Sequence, residues 1–590
     1  EQVAASWHQM LVMFKSSDPG LVALLLSGVE RYVNWIDISL VANERFMPIL
    51  FEVLNSDHST HGVAQVSAVG VLAEIVGKKM EPGVKLNLIQ GLGLVPLAAQ
   101  WAETGLPGMM SCVPSEVEDQ ELAVVSAKLL VNLATEILDA WKKVENSVIS
   151  LQTVGVSLDD EAVLEATASC QTATLMMEQL FPAVVMAFRI PKDDVSVIVA
   201  PFMLSYVSRI KLVSKRANGE LSPVVHAQLV ALLEAAAVCA RFDSNMSLYP
   251  VDYASMEEMV IAEEEEQSVS TRRQDLFSLF RNTSKLVPTA AYELVVNMLN
   301  NSLIGRGAAN LPGAVSVVGG TTGASQGTSN WQDAEIALSL FYQLGEGMTE
   351  DVLKSGAHPL VELAAGIIQL DDSVATHRLV ALALLEACAR YAKVTLFRPA
   401  LLPSLASKFF GSAGLGHPAS TVPPRAAYLL CRTVKTLRQT ISAISRDLLC
   451  ALMPHLEAIA RSPIGNQSFQ AKSSYSRPSG LASAGASASV GVSGAGVSTP
   501  DDRLFAFEAA GLLVGFSSDE ETQVEWLQAL SRPLIEQLQR ADRGGDGVAS
   551  SDPSISPTAA ADKRLNEQRI QAGHDQTFLY QASLCRQCME

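Results

Sequence analysis

Between Ala387 and Arg446 the chain runs for sixty residues without an Asp or a Glu. At the chain's average of 62 acids in 590 residues, about six would stand there. The same window carries Arg390, Lys393, Arg398, Lys408, Arg425, Arg432, Lys435, Arg438 and Arg446, so a protein of net charge −19 holds one segment that is locally +9. Cations gathered without counter-charges build a positive field that suits a polyanion. In PRAAYLLCRTVKTLRQ, helical stepping places Arg425, Arg432, Lys435 and Arg438 within one arc of about 140°. Ala426, Ala427, Leu430, Val434 and Leu437 take the opposite arc, the face such a helix would bury. A solvated helix usually mixes both signs of charge, because intrahelical pairs help it. An ordinary surface decorated with Lys and Arg is the other reading of the same residues.

Two further groups of charges matter. Arg209, Lys211, Lys215 and Arg216 cluster in SRIKLVSKRANG, at a helix end where cations also favour the helix dipole. Arg272, Arg273 and Arg281 open the helical stretch RRQDLFSLFRNTSKLV. Arg272 and Arg273 are candidate phosphate contacts, with a local ion pair to adjacent acids as the alternative. Before them, the segment from Asp243 to Ser270 holds Asp252, Glu257, Glu258 and the run Glu263, Glu264, Glu265 and Glu266. Such a run is a solvated loop, a contact for a basic partner, or an internal competitor for the basic face.

Residues that could do covalent chemistry are scattered. The sequence contains no G-x-x-x-x-G-K-[ST], no G-x-S-x-G and no H-E-x-x-H. The nine histidines are dispersed; His58 and His61 are close, in a turn-like SDHSTHG stretch read as a solvated loop. Cys112, Cys170, Cys239, Cys388, Cys431 and Cys450 stand singly in apolar helical patterns, where a thiol packs as a small hydrophobe. Cys585 and Cys588 form one C-x-x-C without the second ligand pair that zinc requires. Trp35 and Trp331 could serve as base-stacking platforms. Trp35 sits in RYVNWIDISL among apolar neighbours, which favours core packing, and Trp331 is left unassigned. These patterns predict no enzyme, no cofactor, no metal and no small-molecule substrate.

The elements that must position the cations are helices. Apolar residues make up 48% of the chain and aromatics only 6%, and no apolar run reaches the roughly 18 uninterrupted residues of a membrane span. Amphipathic helices are predicted at 3–15, 19–34, 38–55, 62–79, 83–103, 116–145, 160–189, 194–214, 221–242, 271–286, 289–303, 331–347, 357–370, 373–394, 399–410, 423–440, 443–461, 502–516 and 519–541. Helix pairs at roughly forty residues per pair are the signature of HEAT-like or armadillo-like arrays. The expected fold is therefore all-α, an α-solenoid superhelix of HEAT-like helical repeats. Repeats are expected over 1–242, 271–304, 331–462 (with the basic face) and 501–541, and an acidic loop over 243–270. The Gly/Ser/Ala-rich stretches 305–330 and 463–500 read as disordered insertions, and 542–590 as a mostly disordered tail. The opening EQVAASWHQMLVMF, with no initiator Met, reads as a segment of a longer soluble intracellular protein.

The stretch RYVNWIDISLVANERF from Arg31 to Phe46 resembles a signature of the exportin-T family, within the karyopherin superfamily. Further blocks agree in the same order: RQDLFSLFRNTSKLVP from Arg273, AEIALSLFYQLGEGM from Ala334, RAAYLLCRTVKTLRQ from Arg425 and RLFAFEAAGLLVG from Arg503. The resemblance covers most of 1–541 outside the Gly/Ser-rich insertions and corresponds to the middle of the family's chain. It implies HEAT repeats that wrap tRNA cooperatively with Ran-GTP, export it through the nuclear pore, and release it in the cytoplasm when GTP is hydrolysed. Expected partners are tRNA, Ran-GTP and nuclear pore proteins, with no membrane; the protein is expected to be a monomer shuttling between nucleus and cytoplasm. On that picture Arg425, Arg432, Lys435 and Arg438, then Arg398 and Lys408, are the expected phosphate contacts, because folded RNA is recognised through its backbone and shape. Glu263 to Glu266 would face Ran or another basic partner. A HEAT-type receptor or scaffold for protein cargo shares the solenoid and the acidic balance; the acid-free window is the feature that separates the two.

Overall fold

A computed structural model describes residues 1–107 apart from 16 and 57, 117–153, 161–190, 193–242, 256–303, 331–346, 351–352, 358–461 apart from 420, and 500–544 apart from 518. The predicted insertions apart from Pro500, the first half of the predicted acidic loop, nearly all of the tail, Cys112, Cys585 and Cys588 lie outside the described residues. Among the described residues every regular element is a helix and no strand occurs. The chain divides into two compact units, Glu1–Ala240 with Arg272–Ala291, and Arg241–Thr271 with Tyr292–Glu590.

In the first unit the helices are α1 (Gln2–Phe14), α2 (Pro19–Val33), α3 (Phe46–Leu54), α4 (His58–Gly77), α5 (Pro82–Gly91), α6 (Leu94–Thr104), α7 (Val117–Thr153), α8 (Glu161–Phe188), α9 (Asp193–Arg216) and α10 (Pro223–Cys239). The helix α2 packs on α4, α4 on α7 and α7 on α9, while α6 packs on α8 and α8 on α10. That is the two-row stacking of a helical repeat array. Local chemistry sets the ends. Asp18 caps α2 by accepting from Leu21 N at 3.0 Å, with Pro19 in the first turn, where its missing N–H costs nothing. The single helix predicted over 83–103 is split in two because Gly93 takes the left-handed conformation, φ +66.

The helix α11 (Met256–Ser284) corrects the reading of residues 256–270 as a loop. Glu is a good helix former, and Glu257 and Glu258 stand in the first turn, where acids suit the dipole, so an acidic stretch without apolar periodicity still folds as helix. After α12 (Pro288–Leu303), the second unit continues with α13 (Trp331–Leu344), α14 (Pro359–Ile368), α15 (Arg378–Tyr391), α16 (Val394–Phe397), α17 (Leu402–Phe410), α18 (Val422–Thr436), α19 (Arg438–Ile441), α20 (Ser445–Arg461), α21 (Pro500–Val514) and α22 (Glu520–Gly544). One row runs α13, α15, α18, α21 and a second runs α14, α17, α20, α22, each helix packed on the next of its own row. Tyr391 holds the first row by donating its hydroxyl to Phe341 O at 2.7 Å.

Among the described residues one helix, Val195–Arg216, is long and apolar enough to cross a membrane by length and composition, although no uninterrupted apolar run fills it. Half of that window is buried inside the array, and the core helix of a stacked bundle passes the same test.

Candidate nucleic-acid interface

The helix α18 is built as its pattern demands. Pro423 and Pro424 occupy its first turn, where a missing N–H is harmless. Ala426, Ala427, Leu430, Val434 and Leu437 are all buried, and Leu429 and Cys431 join them because α18 packs against α15 on one side and α21 on the other. Arg432, Lys435 and Arg438 are exposed on the opposite face. The face assignment made from periodicity therefore holds for these three.

The cations differ in what they touch. Arg425 is half-buried; its Nε donates to Glu386 Oε1 of α15 at 2.6 Å, its Nη2 pairs with the same oxygen, and its guanidinium lies 4.8 Å from the Tyr428 ring centroid. Lys435 Nζ donates to Glu508 Oε1 of α21 at 2.6 Å, and that hydrogen bond raises the lysine's pKa. The Arg438 guanidinium stands 5.7 Å from the Phe516 ring. Arg432 makes no ion pair among the described residues; its backbone carbonyl accepts from Thr436 Oγ1 at 2.9 Å. Arg398, at the start of a short 3-10 turn, forms a fork with Glu362 of α14, Nη1 to Oε2 at 2.9 Å and Nη2 to Oε1. The hydrogen bond from Arg398 holds the Glu362 carboxyl below the usual carboxylate range.

Lys408 corrects an expectation. It is buried, with Nζ donating to Leu370 O and to Asp372 Oδ1 at 2.8 Å, and so cannot meet a phosphate. A buried ammonium survives only when its donors are satisfied this way. Around it the chain is tight: a Cβ on Gly411 would come within 2.3 Å of Asp372 Oδ2, and one on Gly414 within 2.2 Å of Phe409 O. His417, also buried, bridges from Nε2 to Ala375 O at 3.2 Å while Nδ1 accepts from Ala419 N at 3.0 Å; burial lowers its pKa.

Arg273 is a second correction: it is buried, its guanidinium 5.0 Å from the Phe277 ring. Arg272 is half-buried beside it, and burial followed by the Arg273 charge lowers its pKa. Arg273 therefore does not belong to an open phosphate surface. In the first unit the basic cluster divides. Arg209 is buried against Trp141, 4.7 Å from its ring, and pairs with Glu145 of α7 at 2.6 Å; Arg216 pairs with the same carboxylate. Lys211 and Lys215 are exposed.

Glu263 to Glu266 lie on α11 rather than in a loop. Trp35 is 85% exposed, against the core position expected of it. It follows the end of α2, where helical periodicity no longer says which side a residue faces. Trp331 is half-buried, stacked 4.0 Å from His377 and tilted 5.8 Å from Phe242. His58 and His61 belong to the first turn of α4, not to a loop. Cys388 and Cys431 are buried as expected, whereas Cys450 is exposed.

The residues missed from sequence are the counter-charges Glu362, Asp372, Glu386 and Glu508. A signal for three of them existed. The ties from Arg398 and Lys408 each span 36 residues and the tie from Arg425 spans 39, close to one helix-pair period. Three of the window's nine cations are thus neutralised by the acid-bearing segment one repeat before them.

The family model described as Exportin-T matches residues 167–546, and one described as Exportin 1-like protein matches residues 1–72. Exportin-T of Arabidopsis thaliana is 28% identical over 539 residues, covering 91% of this chain and 45% of that protein. Exportin-T of Oryza sativa subsp. japonica is 27% identical over 558 residues, covering 94% and 47%. The chain therefore spans about half the length of these curated relatives. Among solved structures, Importin13 in its cytosolic state superposes with a TM-score of 0.50 at 12% identity, over 94% of this chain and 56% of that one, which is a likeness of fold. With the helical array in place and a family match over more than half of its residues, this chain belongs to the exportin-T family.

Proposed function

We propose that the protein is a nuclear export receptor for tRNA, binding it together with Ran-GTP and releasing it in the cytoplasm on GTP hydrolysis. The observation that carries this reading is family membership over 167–546, in an array whose second unit exposes Arg432, Lys435 and Arg438 side by side. Those three cations sit on regular helices and can grip phosphates without sequence readout, as recognition of folded RNA by shape demands. Glu263 to Glu266 on α11 are the proposed contact for Ran or another basic partner, and nuclear pore proteins complete the partner set. The protein binds and releases rather than catalyses, and shuttles between nucleus and cytoplasm. The test is a titration of tRNA against the intact protein with and without Ran-GTP, at two salt concentrations. Ran-GTP should tighten binding and added salt should weaken it steeply; an affinity indifferent to Ran-GTP sinks the export reading.

A receptor or scaffold for protein cargo is favoured by one observation. Arg398, Lys408, Arg425 and Lys435 all engage carboxylates within the array, so the window offers fewer open cations than its composition suggests. The same titration separates the two readings, because a protein-cargo receptor gives no tRNA signal under either condition.

A further inference from the structure

We infer that Glu508 is an internal counter-ion for the proposed RNA surface, a carboxylate that holds Lys435 when no phosphate is bound and opposes one that arrives. The inference rests on the reading of Arg432, Lys435 and Arg438 as phosphate contacts. It starts from a difference among the ion pairs of the second unit. Lys408 and Asp372 retain 5% and 21% side-chain exposure, so the ammonium is closed to an incoming ligand. Lys435 and Glu508 retain 52% and 40%, so the pair between α18 and α21 lies open on the face that carries Arg432 and Arg438. The ammonium has three donors, and the carboxylate 2.6 Å away takes at least one. A phosphate reaching the remaining donors would meet a like charge a few ångströms off, which opposes binding even in a well-solvated setting. Because an exposed pair of this kind contributes little to stability, giving it up costs the fold little. Glu508 also stands close to the buried Cys431, whose thiol is pushed up to about 12, first by burial and then by the Glu508 charge. Its effect is to set how strong a polyanion must be before Lys435 changes partner.

The experiment is a double-mutant cycle on the intact protein with Ran-GTP present, reading tRNA affinity and the thermal midpoint of each variant. Glu508→Gln should tighten binding by about two- to fivefold, the range an exposed ion pair allows, with a nearly unchanged midpoint. Lys435→Gln should weaken binding, and adding Glu508→Gln to it should recover little, because the carboxylate acts through the lysine. Glu508→Ala carries the same expectation and covers the case in which glutamine disturbs packing against Cys431. Equal gains with and without Lys435 overturn the inference, since Glu508 would then act only through the overall field. No gain from either replacement overturns it as well, while leaving tRNA binding itself intact. Absence of tRNA binding in the unaltered protein removes both the inference and the function on which it stands.

Discussion

Lys408 and Arg432 stand in the same acid-free window and look alike in composition, yet they do opposite work. Lys408 is buried between α17 and the 3-10 turn at Asp372, with its charge spent on Leu370 O and a carboxylate. Arg432 lies in solvent with no ion pair among the described residues. The contrast shows what a local excess of cations means in a stacked array. Helices pack on neighbours one period away, so a charge is balanced by residues some forty positions off rather than by its own helix. An acid-free stretch can therefore be a seam as well as a surface, and burial of each side chain decides which.

The sharpest way to break the comparison is at Lys408. Lys408→Met should destabilise the second unit by about 1–3 kcal/mol, because it leaves the half-buried Asp372 carboxylate and the buried Leu370 O without their partner. Denaturant unfolding checks it; a loss below about 1 kcal/mol would mean that the pair is solvated and the seam is not one. The reverse is expected on the open face. Replacing Arg432, Lys435 and Arg438 together with Gln should weaken tRNA binding roughly 10- to 100-fold and reduce the salt slope by about two to three, at a nearly constant thermal midpoint. A collapse in stability there would place these residues with Lys408. Arg398 lies between the extremes. Arg398→Gln removes a two-pronged but exposed pair with Glu362 and should cost no more than about 1 kcal/mol, read from the same denaturant curves.

Acid should act on the seam and spare the face. His417 and His455 both have imidazoles whose pKa burial lowers from the ordinary 6.5. A folded state that holds the neutral ring binds fewer protons than the unfolded chain. The stabilisation is therefore full above 6.5 and declines as pH falls below it toward the folded value. The denaturant midpoint should drop between about pH 7.5 and about pH 5.5, and His417→Asn should shrink that drop, since the amide keeps polar contacts but does not titrate. An unchanged pH response in His417→Asn would show that titration of this ring does not set the acid sensitivity.

Much of the fold was legible because α-helical periodicity is a local property. The buried face of α18, from Ala426 to Leu437, follows from spacing alone, as do the all-helical class and the roughly forty-residue rhythm. The predicted helix over 83–103 was wrong at one residue, Gly93, whose left-handed turn carries no signal in hydrophobic spacing. Residues 256–270 were misread because a charge run hides periodicity while still favouring helix. Trp35 was misplaced because its apolar neighbours belong to the end of α2 and the turn after it, where sequence proximity is a poor guide to side-chain direction.

What the amino-acid sequence determined by itself was therefore the kind of element, its apolar face, the family and the presence of an unusual concentration of cations. Which cation meets solvent and which meets a carboxylate was decided only by stacking, since Glu362, Asp372, Glu386 and Glu508 reach the window across neighbouring helices of the array. The physical reason is range. Periodicity acts within a few residues along one helix, while Coulomb attraction and desolvation act through space between helices that the chain brings together only once it has folded.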